Sequence, residues 1–225
     1  MSIVVIAAPN AGVDGATTIC DSSTTPIVLN TLITGEQPGG VWTRTGSGTG
    51  GNFDPIAGTF TPASGATTST FTYTVNGIAP CANDTSIATI NINAQPFAGV
   101  DGLPKEVCDN DTTFIDLFSL INGEQTGGTW VRSSGIGGIF DPITARYTPS
   151  PGATNSTFTY TITGAAPCVN SSSLATININ PQPNAGVDGV VAVCDSSTTA
   201  IDLFSLITTE QPGGVWTRTG GTGGF

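Results

Sequence analysis

Residues 70–75 read Thr-Phe-Thr-Tyr-Thr-Val, and their alternation decides the fold class. Phe71, Tyr73 and Val75 fall on one side of an extended chain and Thr70, Thr72 and Thr74 on the other, the period of a strand with one buried face. The run TFTYT returns at 157–161. Downstream, Ala88, Ile90 and Ile92 alternate with Thr89, Asn91 and Asn93, so the first set points to a core and the second to water. No segment sustains apolar residues at i, i+3, i+4 and i+7, and Gly, Pro, Thr, Ser and Asn crowd the gaps between apolar runs. The chain reads as all-β.

Working outward from that strand, the sequence repeats. PNAGVDG at Pro9–Gly15 returns as PFAGVDG at Pro96 and as PNAGVDG at Pro183, 87 positions apart each time. Each copy continues with a cysteine, a GEQPGG-like turn and a Trp-x-Arg. The first two go on through FDPI (Phe53–Ile56, Phe140–Ile143), TFTYT, Ala-Pro-Cys and ATININ. The spacing predicts an immunoglobulin-like repeat at 9–95, a second at 96–182 and a truncated third at 183–225. Residues 1–8 then form the final strand of a preceding repeat. About seven short strands in 87 residues is the rhythm of an immunoglobulin-like β-sandwich. With linkers nearly absent and prolines at the junctions (Pro96, Pro181, Pro183), the repeats are expected to form an elongated, semi-rigid rod.

Each complete repeat holds two cysteines, Cys20 with Cys81 and Cys108 with Cys168; Cys194 stands alone, its partner falling beyond residue 225. One disulfide within each repeat is the economical expectation, and closing a loop of that length stabilises by about 4 kcal/mol in the chain-entropy model. Zinc sites favour Cys-x-x-Cys or Cys with His, and neither occurs; a reactive thiol wants a basic neighbour, yet Asp21, Asp109 and Asp195 follow the first cysteines. Disulfides place the chain outside the cell.

Five basic residues against sixteen acidic ones give a net charge of −11, which argues against nucleic acid and anionic lipid as partners. No apolar run is long enough to insert in a membrane, and the first eight residues lack the basic start of a signal peptide, so an export signal is expected upstream. The chain has no histidine and one lysine, and it carries no G-x-S-x-G or phosphate loop, which leaves little for catalysis. An enzyme is not expected.

Calcium is the cofactor to weigh. Asp14, Asp101 and Asp188 lie in the V-D-G turns by the repeat junctions, and Asp109 and Asp111 cluster in the second repeat. The alternative is that these aspartates cap turns, since no dense D-x-D-x-D-G loop is present. Trp42, Trp130 and Trp216 offer sugar-stacking platforms for a surface polysaccharide if exposed, or core anchors if buried. Alternation puts Arg44 on the face of Trp42, so that either the arginine lies at the strand edge and stacks on the ring or both are outside, and Glu36, Glu124 and Glu210 are placed to pair with the arginine across the turn. Tyr73 and Tyr160 are read as core residues, with a corner hydrogen bond as the alternative.

Taken together, PNAGVDG, the cysteine after it, D-L-F-S-L (Asp116–Leu120, Asp202–Leu206), GG-x-W, the FDP loop, TFTYT, APC and TININPQP resemble the repeats of giant cell-surface proteins of Bacteroidota. That resemblance, to gliding-motility adhesins exported by the type 9 secretion system, spans essentially the whole chain. It implies a structural or adhesive segment of an extracellular surface fibre, whose partners are its own tandem or filament neighbours. The competing reading is an array of carbohydrate-binding modules.

Overall fold

Two strands, Ser69–Val75 and Asp84–Asn93, run antiparallel down the middle of the first repeat and set its geometry. In the computed structural model, which describes residues 2–222, the first repeat has seven strands. They are β1 (Gly15–Cys20), β2 (Ile27–Val28), β3 (Val41–Arg44), β4 (Asn52–Asp54), β5 (Thr59–Thr61), β6 (Ser69–Val75) and β7 (Asp84–Asn93), with a 3-10 turn at Leu29–Thr31. One sheet has the order β1-β7-β6-β3 and the facing sheet β2-β5-β4. All pairs are antiparallel except β1 with β7, which run parallel and bring Gly15 beside Ala88 and Cys20 beside Asn93.

The alternation in β6 and β7 does what the sequence predicts. Ser69, Phe71 and Tyr73 are buried, as are Ser86, Ala88 and Ile90, while the residues between them are partly or fully exposed. Phe60 of the facing sheet, Leu29 and Ile33 close the core against them. The Gly39-Gly40 turn has a specific cause: Gly39 takes φ +92°, and a side chain on Gly40 would strike the Tyr73 ring. The Tyr73 hydroxyl donates to Gln37 O (2.8 Å) and accepts from Gly40 N (2.8 Å). The corner hydrogen bond is therefore made; the plainer core reading covers only the ring.

The second repeat repeats the plan with β8 (Val100–Asp101), β9 (Lys105–Cys108), β10 (Ile115–Asp116), β11 (Ile121–Asn122), β12 (Thr129–Ser134), β13 (Ile139–Asp141), β14 (Arg146–Thr148), β15 (Ser156–Ile162) and β16 (Ser171–Asn180). Its sheets are β9-β16-β15-β12 and β10-β14-β13, plus a short β8-β11 ladder, and β9 runs parallel to β16. Residues 183–222 keep only local structure. Val187 bridges Thr208, as Val13 bridges Thr34, and a 3-10 turn spans Leu203–Leu206, but no strand forms among the described residues. Trp216 is 46% exposed, against 4% for Trp42 and Trp130. Ile3, Val4 and Val5 are likewise exposed and unpaired into any strand.

Candidate functional site at the junction between repeats

The strand β7 ends at Asn93, and three residues later Pro96 opens the second repeat. Asp21, just past β1, organises this crossing. Its N–H donates to Asn93 O (2.9 Å), and its carboxylate accepts from Gln95 N (2.7 Å) and from Gly65 N (2.9 Å). The side chains at the end of β7 then reach forward into the second repeat: Asn93 Nδ2 donates to Ala166 O (2.8 Å) and Gln95 Nε2 to Val169 O (2.9 Å). Both targets belong to the loop between β15 and β16. That loop is shaped internally, by Gly164 N donating to Asn170 Oδ1 (3.1 Å) and Cys168 N to Ala165 O (2.9 Å). Held this way, it lays Cys168 against the end of β1, where a disulfide joins Cys20 to Cys168 with the Cα atoms 5.0 Å apart.

This corrects the expected pairing. Cys20 is not bonded to Cys81, nor Cys108 to Cys168; Cys81, Cys108 and Cys194 are free thiols. The reason lies in the parallel pairing of β1 with β7. It puts Cys20 at the finishing end of β7, beside Asn93, whereas Cys81 sits three residues before β7 begins. The ten residues of β7 separate them by roughly 30 Å, and a disulfide spans Cα atoms only about 4.4–6.8 Å apart. The finishing end of one repeat is, however, where the next one docks its loop between the last two strands. The cysteines within a repeat are at opposite ends; those across the junction meet.

The five aspartates considered for calcium are each placed by the fold. Asp14 Oδ1 accepts from Ile87 N (2.8 Å) and Ser86 Oγ (3.1 Å), and Asp101 Oδ1 from Leu174 N (2.7 Å). Ile87 lies in the first half of β7, so Asp14 pins the approach to β1 against mid-strand. Asp109 repeats the role of Asp21, accepting from Gln182 N (3.0 Å) and Gly152 N (3.1 Å), and the Gly152 and Gln182 N–H groups hold its carboxyl below the ordinary value. Asp111 closes a turn by accepting from Thr113 N (3.0 Å). Asp188 lines a shallow hollow of the third repeat with Phe204 and Trp216. Among the described residues, the one cluster of three ligand-type side chains is Cys20, Asp21 and Cys168, and two of its three sit in the disulfide.

In both complete repeats the tryptophan is a core anchor. Trp42 packs on Tyr73 with ring centres 5.1 Å apart and donates Nε1–H to Asn30 Oδ1 (2.6 Å), and Trp130 packs on Tyr160 at 5.2 Å. Buried to 4% exposure, neither offers a face to a sugar. Arg44 does share the face of Trp42, but it turns to the core rim. Nη2 donates to Ser69 Oγ (2.6 Å), and the guanidinium lies 5.3 Å from the Phe60 ring and 5.8 Å from that of Phe71, a partnership taken in place of Glu36. Arg132 does the same over Tyr147 and Phe158.

Fold and junction together define a class: tandem immunoglobulin-like β-sandwiches, directly abutted and stapled across the boundary by a disulfide. No protein-family model matches the chain, and no curated protein does. Among solved structures it is similar to Drosophila N-cadherin EC1-4 (8% identity over 77% of this chain and 50% of that one, TM-score 0.40). It is similar also to titin domains I67-I69 in an E-to-A variant (14%, 80% and 67%, TM-score 0.38) and to Sidekick-1 immunoglobulin domains 1-5 (12%, 78% and 38%, TM-score 0.38). The chain spans half the length of the cadherin fragment.

Proposed function

We propose that the chain is a structural or adhesive segment of an extracellular repetitive surface fibre, without catalytic activity. The observation that carries this reading is the Cys20–Cys168 staple. A disulfide buried at a domain boundary persists in an oxidising compartment, and it makes two small sandwiches behave as one mechanical unit. The crossing has no linker: Asp21, Asn93 and Gln95 fix it by hydrogen bonds, which suits transmission of tension along an array. A net charge of −11 keeps such a surface soluble and self-avoiding. The motif resemblance to Bacteroidota surface proteins supports a cell-surface placement and a role in gliding-type adhesion. Of the two binding readings, adhesion fits better than a sugar-binding array, because the recurring tryptophans of the complete repeats are buried.

The test is localisation on cells that make the protein. Antibody raised against the second repeat is expected to label intact, unpermeabilised cells, and labelling only after permeabilisation overturns the proposal.

A further inference from the structure

We propose that the staple recurs at every junction: Cys108 is the first half of the next one and Cys81 the second half of the one before, each taking a cysteine from an adjoining repeat of this same type. This goes beyond the fibre reading but rests on its tandem arrangement.

Both half-sites are already built. On the finishing side, Cys108 faces Asn180 across β9 and β16 as Cys20 faces Asn93 across β1 and β7. Asp109 N donates to Asn180 O at 3.0 Å, as Asp21 N does to Asn93 O at 2.9 Å. The Asp109 carboxylate accepts from Gln182 N and Gly152 N, as that of Asp21 does from Gln95 N and Gly65 N. On the receiving side, Cys81 N donates to Ile78 O and Gly77 N to Asn83 Oδ1, reproducing the internal bonds of the loop that carries Cys168. Cys81 Sγ lies 3.8 Å from Ile6 O and Cys168 Sγ 3.3 Å from Asn93 O, each pair 75 residues apart. The segment before Pro9 therefore rests against Cys81 where the end of β7 rests against Cys168.

What differs is the partner. Cys108 is exposed and borders an open hollow with Glu106, Asn110 and Asn180, whereas Cys20 is buried under Cys168. The Asn93 amide, which reaches across the filled junction, has a counterpart that folds back on its own repeat: Asn180 donates to Glu106. Docking of another Ala-Pro-Cys loop would draw Asn180 outward and cover the thiol. Closure forms one S–S bond from two thiols, which give two protons and two electrons to a disulfide oxidant such as oxidised glutathione, itself reduced to two thiols. Because each bracket begins before the previous one ends, successive staples overlap along the chain.

The test duplicates residues 9–95 in line, inserted between Gln95 and Pro96 of the full chain, with oxidation in a glutathione buffer and peptide mapping without reduction. The expected links join Cys20 to the copied Cys81 and the copied Cys20 to Cys168. A bond between Cys20 and Cys81 within one repeat, or Cys20 still bonded to Cys168 across the inserted repeat, overturns the proposal. A second chain, with 96–182 duplicated after Gln182, is expected to join Cys108 to the copied Cys168. Absence of the cross-repeat link from both chains also overturns it. Such a failure, with cells still labelled by the antibody, would leave the surface-fibre reading in place.

Discussion

Cys20 closes the end of β1 and Cys168 the loop ahead of β16, and their bond ties the first strand of one sandwich to the last hairpin of the next across 148 residues of sequence. Tension applied to the two ends of the chain therefore passes through sulfur and bypasses everything between.

Pulled by its termini in a force spectrometer, the oxidised chain is expected to extend less than the reduced one by the contour of those 148 residues, roughly 500 Å. The same loop, in the chain-entropy model, stabilises the folded pair of repeats against concerted unfolding by about 5 kcal/mol. Equal contour lengths before and after reduction would show that the staple is not on the force path.

Tyr73→Phe removes the hydroxyl that donates to Gln37 O and accepts from Gly40 N while leaving the ring stacked on Trp42. The expected cost, read by urea unfolding, is about 1–3 kcal/mol, because two backbone groups of the turn lose their partner. A neutral result would return Tyr73 to a purely apolar role.

Acid should act on the second repeat through Asp109. Its carboxyl is held below the ordinary 3.8 by the Gly152 and Gln182 N–H groups. The resulting stabilisation is fully present above that value and is lost as pH falls through the lower folded value. Thermal unfolding of the natural chain and Asp109→Asn should differ at pH 7, and the gap should close below 3.8. A gap that persists at pH 2 would contradict the assignment.

If the aspartate carboxylates serve only to hold turns, removing divalent ions with a chelator is expected to move the unfolding temperature by less than about 1 °C. The carboxylates of Asp14, Asp101, Asp109 and Asp111 already accept protein hydrogen bonds. A fall of several degrees would instead establish calcium in the array.

The sandwich was legible because its signals are local. Alternation at Phe71 and Tyr73, and at Ala88 and Ile90, reports burial residue by residue, and the return of PNAGVDG at Pro96 and Pro183 reports the period. The disulfide partner was not legible, because it depends on a non-local fact: β1 joins its sheet parallel to β7, which sends Cys20 to the far end from Cys81. Neighbouring cysteines in sequence invite pairing by proximity, and nothing in a period-two pattern gives the direction of strand pairing. Arg44 was half legible. Its face followed from Trp42 two residues earlier, but its choice of Phe60 and Phe71 over Glu36 came from strands far along the chain.

Peptide mapping of the oxidised, unreduced chain tests the central claim most directly. A digest in which the peptide bearing Cys20 is linked to that bearing Cys168, with Cys81, Cys108 and Cys194 alkylated as free thiols, is the expected result. Cys20 linked to Cys81, or Cys108 to Cys168, would contradict the staple and return each repeat to a disulfide of its own.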